Sequence, residues 1–295
     1  MATAVHTETR TLEVPGATLR YDVRGDLAEA GADNPALLLV GSPMDASGFA
    51  TLASYFTDRV VVTYDPRGTG RSVRTDGTGE LVPDTHADDL RRIMEALGVG
   101  PVDLFGSSGG AVNGLALVAA RPDLVRTYVA HEPPAIRVLP DREYAWAACV
   151  DVHETYLRAG MGPAMAKFIA LTGATGPFSA DWAGRPAPDP AAFGLPTGDD
   201  GSRDDPLLGQ NMRGCTGYEP DVAALRKAST RIVMAVGKES EGQPAARAAV
   251  ELAALLGSEP VVFPSHHAGF LGGEFGQHGE PEAFAAALRE VLSAG

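Results

Sequence analysis

The sequence has few cysteines, no long apolar run and no apolar stretch near its start. Cys149 and Cys215 are the only cysteines and lack CxxC spacing, so we expect core thiols rather than a disulfide framework. No apolar run approaches the roughly 18 to 20 residues that span a bilayer, which predicts a soluble protein. Residues 1–16 do not resemble a signal peptide, so we expect a cytoplasmic location.

Basic residues are also scarce relative to acidic ones. The chain has 24 Lys and Arg against 38 Asp and Glu, a formal net charge of −14. Such a charge repels a phosphate backbone, so we expect neither a nucleic acid nor an anionic membrane as a partner. With 295 residues, the chain is long enough for one large domain that carries an insertion.

Short apolar runs alternate with helix-like segments along most of the chain. Two strand-like stretches, 11–14 and 18–23, flank the Pro15-Gly16 turn and predict an antiparallel hairpin. The alternation that follows predicts an α/β protein with a mostly parallel central sheet flanked by helices. The predicted strands are 36–40, 60–64, 102–105, 125–130, 231–236 and 260–263, and the predicted helices are 84–97, 109–120, 244–256 and 282–292.

This alternation stops between residues 133 and 228. Two helix-like pieces, 145–157 and 163–171, precede a passage rich in Gly, Pro and Asp at 173–205. An insertion after a parallel strand lies at the carboxyl edge of the sheet, where such sheets bind ligands. We therefore expect a core domain of residues 1–132 and 229–295 and a mainly helical cap of residues 133–228.

The most specific motif is Gly106-Ser107-Ser108-Gly109-Gly110, a G-x-S-x-G pattern between an apolar strand and an apolar helix. A sharp strand-to-helix turn strains the central residue and lifts its side chain clear of the sheet. The helix N-terminus adds positive potential where an oxyanion would form. We predict that Ser108 is a nucleophile, since the competing Ser107 lies one place off the motif.

Two histidines follow the last predicted strand, in the run SHHAGF that begins at Ser265. A histidine in this loop can lean over the sheet edge toward Ser108. Its neutral imidazole would take the serine proton and later return it to the leaving group. The His-x-Gly-Phe grouping favours His267 as the base, with His266 as the alternative.

Two carboxylates compete for the role of the acid that orients this histidine. Glu132 follows the strand 125–130 and precedes two prolines, whereas Glu239 lies in a turn (KES) with the composition of a solvated loop. The acid must fix the imidazole tautomer largely out of water, which favours Glu132 and leaves Glu239 as the alternative. The chain order of serine, acid and histidine holds for both.

An oxyanion hole requires two backbone N–H groups. Gly109, the residue after the nucleophile, would supply one of them. The turn after the strand 36–40 would supply the other, from Ser42 or alternatively from Met44, because Pro43 has no N–H.

Together these features resemble the α/β-hydrolase superfamily over nearly the whole chain. Residues 65–72 (DPRGTGRS) are similar to the D-x-R-G-x-G-x-S turn of its esterase, epoxide-hydrolase and dehalogenase branches. The full G-x-G-x-x-G pattern of a dinucleotide loop is missing, because position 73 is Val73.

The resemblance also bears on the acid and on the activity. An acid 24 residues beyond the nucleophile is similar to the arrangement in zearalenone-type lactonases and some haloalkane dehalogenases, which supports Glu132. Those dehalogenases and the epoxide hydrolases use an aspartate where this chain has Ser108, so neither activity is implied. The commoner family pattern has an aspartate at the position of Ser240 and a His-Gly pair in place of Val40-Gly41.

These residues predict a serine hydrolase that cleaves an ester, lactone or thioester through an acyl-enzyme, with no metal or organic cofactor. One alternative is a non-hydrolytic enzyme of the same fold, for elimination, cyclisation or C–C cleavage. Another is a receptor-like ligand-binding protein, which an intact serine, histidine and acid set disfavours.

We expect a mainly apolar small-molecule acyl substrate, because the cap has little clustered positive charge. Aromatic residues of the cap that could line its pocket or its core are Tyr144, Trp146, Tyr156, Phe168 and Phe178.

Overall fold

The computed structural model describes residues 6–294, which are organised around a nine-stranded sheet. The strands are β1 (Thr7–Val14), β2 (Ala17–Arg24), β3 (Leu37–Val40), β4 (Val61–Asp65), β5 (Val73–Arg74), β6 (Val102–Ser107), β7 (Val125–His131), β8 (Arg231–Gly237) and β9 (Val261–Phe263). Their spatial order is β1-β2-β4-β3-β6-β7-β8-β9, with β5 paired to β2. The pairs from β4 to β9 are parallel, and β2 is antiparallel to β1, β4 and β5.

Helices cover both faces of the sheet. The α-helices of the described residues are α1 (Ala50–Ser54), α2 (Pro83–Leu97), α3 (Gly109–Ala120), α4 (Arg142–Ala159), α5 (Met161–Thr172), α6 (Met212–Thr216), α7 (Val222–Lys227), α8 (Pro244–Leu256) and α9 (Pro281–Ser293). Buried residues of α2, α3 and α8 pack on one face, and those of α1 and α9 on the other. The predicted α/β architecture with a mostly parallel sheet is therefore confirmed.

Predicted and observed elements differ mainly where the apolar pattern is weak. The helices α3 and α8 begin and end at the predicted residues, and all four residues of β3 are buried. In contrast, β1 begins at Thr7 rather than at residue 11. Its first half (TETR) is almost wholly exposed. An edge strand of this kind has no apolar face, so the sequence shows no alternating pattern that would predict it. The strand β5 and the helices α1, α6 and α7 are too short to give a periodic signal.

Residues between β7 and β8 form the helices α4 to α7. Buried side chains of α4 and α5 pack together in a cluster that also includes Ala248 of α8. An ion pair between Arg247 and Asp141 ties α8 to the start of α4. A π-helix, Pro206–Asn211, follows the predicted irregular passage and leads into α6.

The division into a core and a cap stays a prediction, and residues 1–5 and 295 of the predicted core lie outside the described residues. Within residues 6–294, no helix combines the length and the apolar character needed to cross a membrane.

Candidate active site

Ser108 lies at the turn that joins β6 to α3. Its φ and ψ are 57° and −126°, a conformation that is rare for a residue with a side chain. The carbonyl oxygen of Ser108 accepts hydrogen bonds from the N–H groups of Ala111 and Val112, and its own N–H donates to the His131 carbonyl oxygen at 3.0 Å. The turn is therefore fastened both to the helix that follows and to β7 beside it.

The glycines of the motif are required by close backbone contacts. A Cβ added to Gly110 would lie 2.2 Å from the Val40 carbonyl oxygen, and one added to Gly106 would lie 2.8 Å from the Gly110 carbonyl oxygen. A Cβ on Gly109 would lie 2.5 Å from the carbonyl oxygen of Ser42. The turn after β3 thus packs directly against the turn that carries Ser108.

Glu132 and His267 are in contact. The Nδ1 atom of His267 lies 2.5 Å from Oε2 of Glu132, while the Gly237 N–H donates to Oε1 at 2.7 Å. Glu132 follows β7 with a φ of 46°, and its N–H donates to the Ala235 carbonyl oxygen at 3.0 Å. Its side chain is 1% exposed, whereas that of His267 is 40% exposed. A buried carboxylate is therefore held against the half-buried imidazole.

The charge state of Glu132 follows from these contacts. Burial alone would raise the pKa of the carboxyl group, but the hydrogen bond from His267, the adjacent His131 and the Gly237 N–H together lower this pKa to about 2. Glu132 is therefore ionised at neutral pH. An ionised acceptor at Nδ1 keeps the proton of His267 on that nitrogen and leaves Nε2 free to accept a proton.

The two alternative residues lie in different surroundings. The Glu239 side chain is exposed and forms no hydrogen bond with His267 in the described part of the chain, while the Glu239 N–H donates to the Ser265 carbonyl oxygen at 2.9 Å. His266 accepts the Ala268 N–H at Nδ1, and its Nε2 lies 3.2 Å from the His278 carbonyl oxygen. Both ring nitrogens of His266 are thus in contact with backbone groups of the segment after β9.

The candidate oxyanion donors lie on the two turns that pack together. Within residues 6–294, the N–H groups of Gly109, Ser42 and Met44 donate to no other residue. Ser42 is buried, and the half-buried Met44 lies over Gly41 and Gly48. The geometry thus retains both Ser42 and Met44 as candidates beside Gly109.

The D-x-R-G-x-G-x-S segment forms hydrogen bonds to the residues that follow the turn after β3. Oδ1 of Asp65 accepts the Ala46 N–H at 3.0 Å, and Oδ2 accepts the N–H and Nε–H of Arg71 at 2.8 and 2.7 Å. The buried Arg67 forms an ion pair with Asp89 of α2. Because Ala46 follows the turn 41–44, Asp65 ties that turn to the end of β4.

The aromatic residues of the predicted cap differ in burial. Tyr156 and Phe178 are buried in the cluster formed by α4 and α5, which makes them core residues. Tyr144 is 48% exposed, whereas Trp146 and Phe168 are half-buried. Burial alone therefore removes two of the five as candidates for a pocket lining.

A further buried histidine was not singled out from the sequence. His131 precedes Glu132, is fully buried, and stacks on the ring of His267 with centroids 5.9 Å apart. Its position at the end of a predicted strand, next to the favoured acid, was the available signal. No group of three or more His, Cys, Asp or Glu side chains is arranged to hold a metal ion in the described part of the chain.

Comparisons with known proteins identify the fold family. A family model described as alpha/beta hydrolase fold matches residues 34–190. The uncharacterized hydrolase YraK of Bacillus subtilis is 38% identical over 135 residues, which are 45% of this chain and 47% of YraK. The match therefore spans less than half of that relative's length.

Two solved structures are similar over almost their full length. The enol-lactonase from Burkholderia xenovorans LB400 has a TM-score of 0.63 at 19% identity, covering 96% of this chain and 100% of that one. A thermophilic esterase from Thermogutta terrifontis has a TM-score of 0.66 at 20% identity, covering 97% and 98%. At these identities the likeness concerns the fold. Since the family model matches more than half of the chain, this protein belongs to the alpha/beta hydrolase fold family.

Proposed function

We propose that the protein is a serine hydrolase that cleaves an ester, lactone or thioester bond. Ser108 is the nucleophile, His267 the general base and Glu132 the acid that orients it. The observation that carries the proposal is the 2.5 Å contact between His267 and the buried Glu132, in a chain whose Ser108 occupies a strained strand-to-helix turn. Supporting comparisons are a lactonase and an esterase of the same fold.

In this mechanism the Ser108 hydroxyl attacks the substrate carbonyl carbon while its proton passes to Nε2 of His267. The tetrahedral oxyanion is bound by the N–H of Gly109 and that of Ser42, or alternatively of Met44. Collapse of the intermediate breaks the bond to the leaving group, which takes the proton from His267. Water then attacks the acyl-enzyme by the same route, and Ser108 is regenerated.

The ionised Glu132 has two functions in this scheme. It keeps the His267 proton on Nδ1, so that Nε2 is the basic nitrogen, and it stabilises the imidazolium that forms in each transition state. Its burial strengthens both effects, because a charge interaction is screened less in a medium of low dielectric constant.

A fluorophosphonate probe tests the nucleophile without knowledge of the substrate. We expect the purified protein to be labelled on Ser108, as located by peptide mass spectrometry, and labelling to be lost in Ser108→Ala and His267→Ala. A folded wild type that admits the probe but stays unlabelled would contradict the proposal and favour a non-hydrolytic enzyme or a ligand-binding protein.

For the substrate we propose a mainly apolar acyl compound. Its binding site would be shaped by residues 133–228, which would act as a cap. Some of the positive charges of this segment are paired within it, as in the ion pairs Lys167–Asp151 and Arg203–Asp199. A series of p-nitrophenyl esters tests this. We expect kcat/KM to rise from acetate to butyrate and hexanoate by about threefold or more for each pair of methylene groups. A preference for a small charged acyl group would refute it.

A further inference from the structure

His131 connects the parts of the proposed catalytic site to one another. Its carbonyl oxygen accepts the Ser108 N–H at 3.0 Å. Its ring stacks on that of His267 with an interplanar angle of 26°, and Glu132 is the next residue in the chain. A single residue thus contacts the turn that carries the nucleophile and the ring of the base.

Apart from His267 and Glu132, the surroundings of His131 consist of phenylalanine rings and one hydroxyl group. Its Nδ1 lies 3.0 Å from Oγ of the buried Ser107, while Nε2 has no partner among residues 6–294. Four phenylalanine rings surround it at centroid distances of 5.2 to 6.3 Å: Phe105, Phe263, Phe270 and Phe284. A fifth phenylalanine would fill such a cluster without the unpaired Nε2, but it would leave the Ser107 hydroxyl without this partner, so apolar packing alone does not explain a histidine here.

The contact with Ser107 holds the His131 ring in either tautomer. With the proton on Nε2, Nδ1 accepts a hydrogen bond from the Ser107 hydroxyl; with the proton on Nδ1, that N–H donates to the Ser107 oxygen. This hydrogen bond fixes the rotation of the His131 ring. A phenylalanine side chain at this position could not form it.

We infer that His131 is a positioning residue, whose ring is fixed by Ser107 and holds the His267 ring at the angle from which it serves Ser108. The inference rests on the proposed role of His267. The charged and titratable groups that face His131 are Glu132, the next residue in the chain, and His267 from the loop after β9. Burial lowers the pKa of His131 to about 4, so its ring stays neutral beside the imidazolium that His267 becomes during turnover.

The test compares His131→Phe, Ser107→Ala and the double variant, with kcat and KM measured on p-nitrophenyl butyrate and stability measured by thermal unfolding. We expect each single variant to lower kcat roughly tenfold, because a misaligned base is costly. We expect KM to change less than about twofold. The double variant should be no slower than the slower single variant, since all three break the same contact.

Tyr128→Phe is the matched control. Tyr128 is a buried residue of the same strand that loses one hydrogen bond, to the Ala111 carbonyl oxygen, on the opposite face of the sheet. It should keep the wild-type kcat. An equal loss in this control would overturn the inference, because general loosening of β7 would then explain the effect.

Two further outcomes separate the inference from the proposed function. If His131→Phe and Ser107→Ala keep the wild-type kcat, His131 only fills the phenylalanine cluster and the inference is wrong, although the proposed function stands. If the wild type neither hydrolyses p-nitrophenyl butyrate nor reacts with a fluorophosphonate, the proposed function fails and the inference fails with it.

Discussion

At the scale of single residues, Glu132 combines a costly backbone conformation with three hydrogen bonds. A positive φ is uncommon for a residue other than glycine and costs on the order of 1 kcal/mol or more. The N–H bond to Ala235, the bond from Gly237 and the contact with His267 offset that cost. The carboxylate is therefore held in one place before any substrate arrives.

Replacing Glu132 should separate its role from that of Glu239. In Glu132→Gln the shape is kept, but the amide no longer enforces the imidazole tautomer, so we expect kcat on p-nitrophenyl butyrate to fall by roughly 10³- to 10⁴-fold. Glu239→Gln, an exposed residue without contact to His267, should stay within about twofold of the wild type. The opposite ranking would assign the acid to Glu239.

Part of this residue-scale arrangement could be predicted from the sequence. The apolar strand before Glu132 and the prolines after it indicated a buried carboxylate, and the charged neighbours of Glu239 indicated an exposed one. The left-handed conformation of Glu132 and the N–H from Gly237 could not be predicted, because both arise from a neighbouring strand that lies more than 100 residues away in the chain.

At the scale of elements, the turns after β3 and β6 depend on the segment after β4. The Asp65 carboxylate accepts hydrogen bonds from Ala46 and Arg71, and Ala46 lies two residues beyond Met44. The family-like segment 65–72 therefore acts through hydrogen bonds to its neighbours, and none of its side chains bonds to His267 or Glu132 in the described residues.

Asp65→Asn should therefore impair catalysis at a distance. An amide offers one acceptor oxygen instead of two, so a hydrogen bond to Ala46 or Arg71 is lost and the turn 41–44 loosens. We expect kcat on p-nitrophenyl butyrate to fall roughly tenfold, with about 1 to 3 kcal/mol of stability lost. Asp22→Asn is the control, because Asp22 binds the same arginine from the far side. Equal losses in both variants would contradict this account.

Elements with a strong apolar period were predictable, and elements fixed by distant contacts were not. The π-helix 206–211 is an example. The Gln210 carbonyl oxygen accepts the Leu81 N–H, and the Asn211 side chain bonds to the buried His86 of α2. These contacts join segments far apart in the chain, and the local sequence PLLGQN carries no sign of them.

At the scale of the whole molecule, two fully buried histidines make stability depend on pH. Burial lowers the pKa values of His86 and His131 to about 4. Well above pH 6.5 both are neutral in the folded and the unfolded chain. As the pH falls from 6.5 to 4, the unfolded chain binds protons that the folded one excludes, so the free energy of unfolding decreases.

Each buried histidine should cost about 2 kcal/mol of stability between pH 7 and pH 4.5. We expect His86→Phe to lose correspondingly less stability than the wild type over this interval, whatever the constant effect of losing the bond to Asn211. Urea unfolding at the two pH values measures the difference. Equal losses in both proteins would show that His86 is protonated in the folded state.

We expect the position of Ser240 to offer a second place for the acid. Its buried hydroxyl group has no partner within residues 6–294 and lies beside Gly237, whose N–H binds Glu132. The position is the one where the commoner family pattern has an aspartate. In evolutionary terms, an aspartate there that orients His267 would let a lineage move its acid from β7 to β8 by two substitutions while Ser108 and His267 stay in place. We expect the double variant Glu132→Gln/Ser240→Asp to have a kcat at least about tenfold higher than that of Glu132→Gln alone. An unchanged kcat would show that the acid is confined to the end of β7.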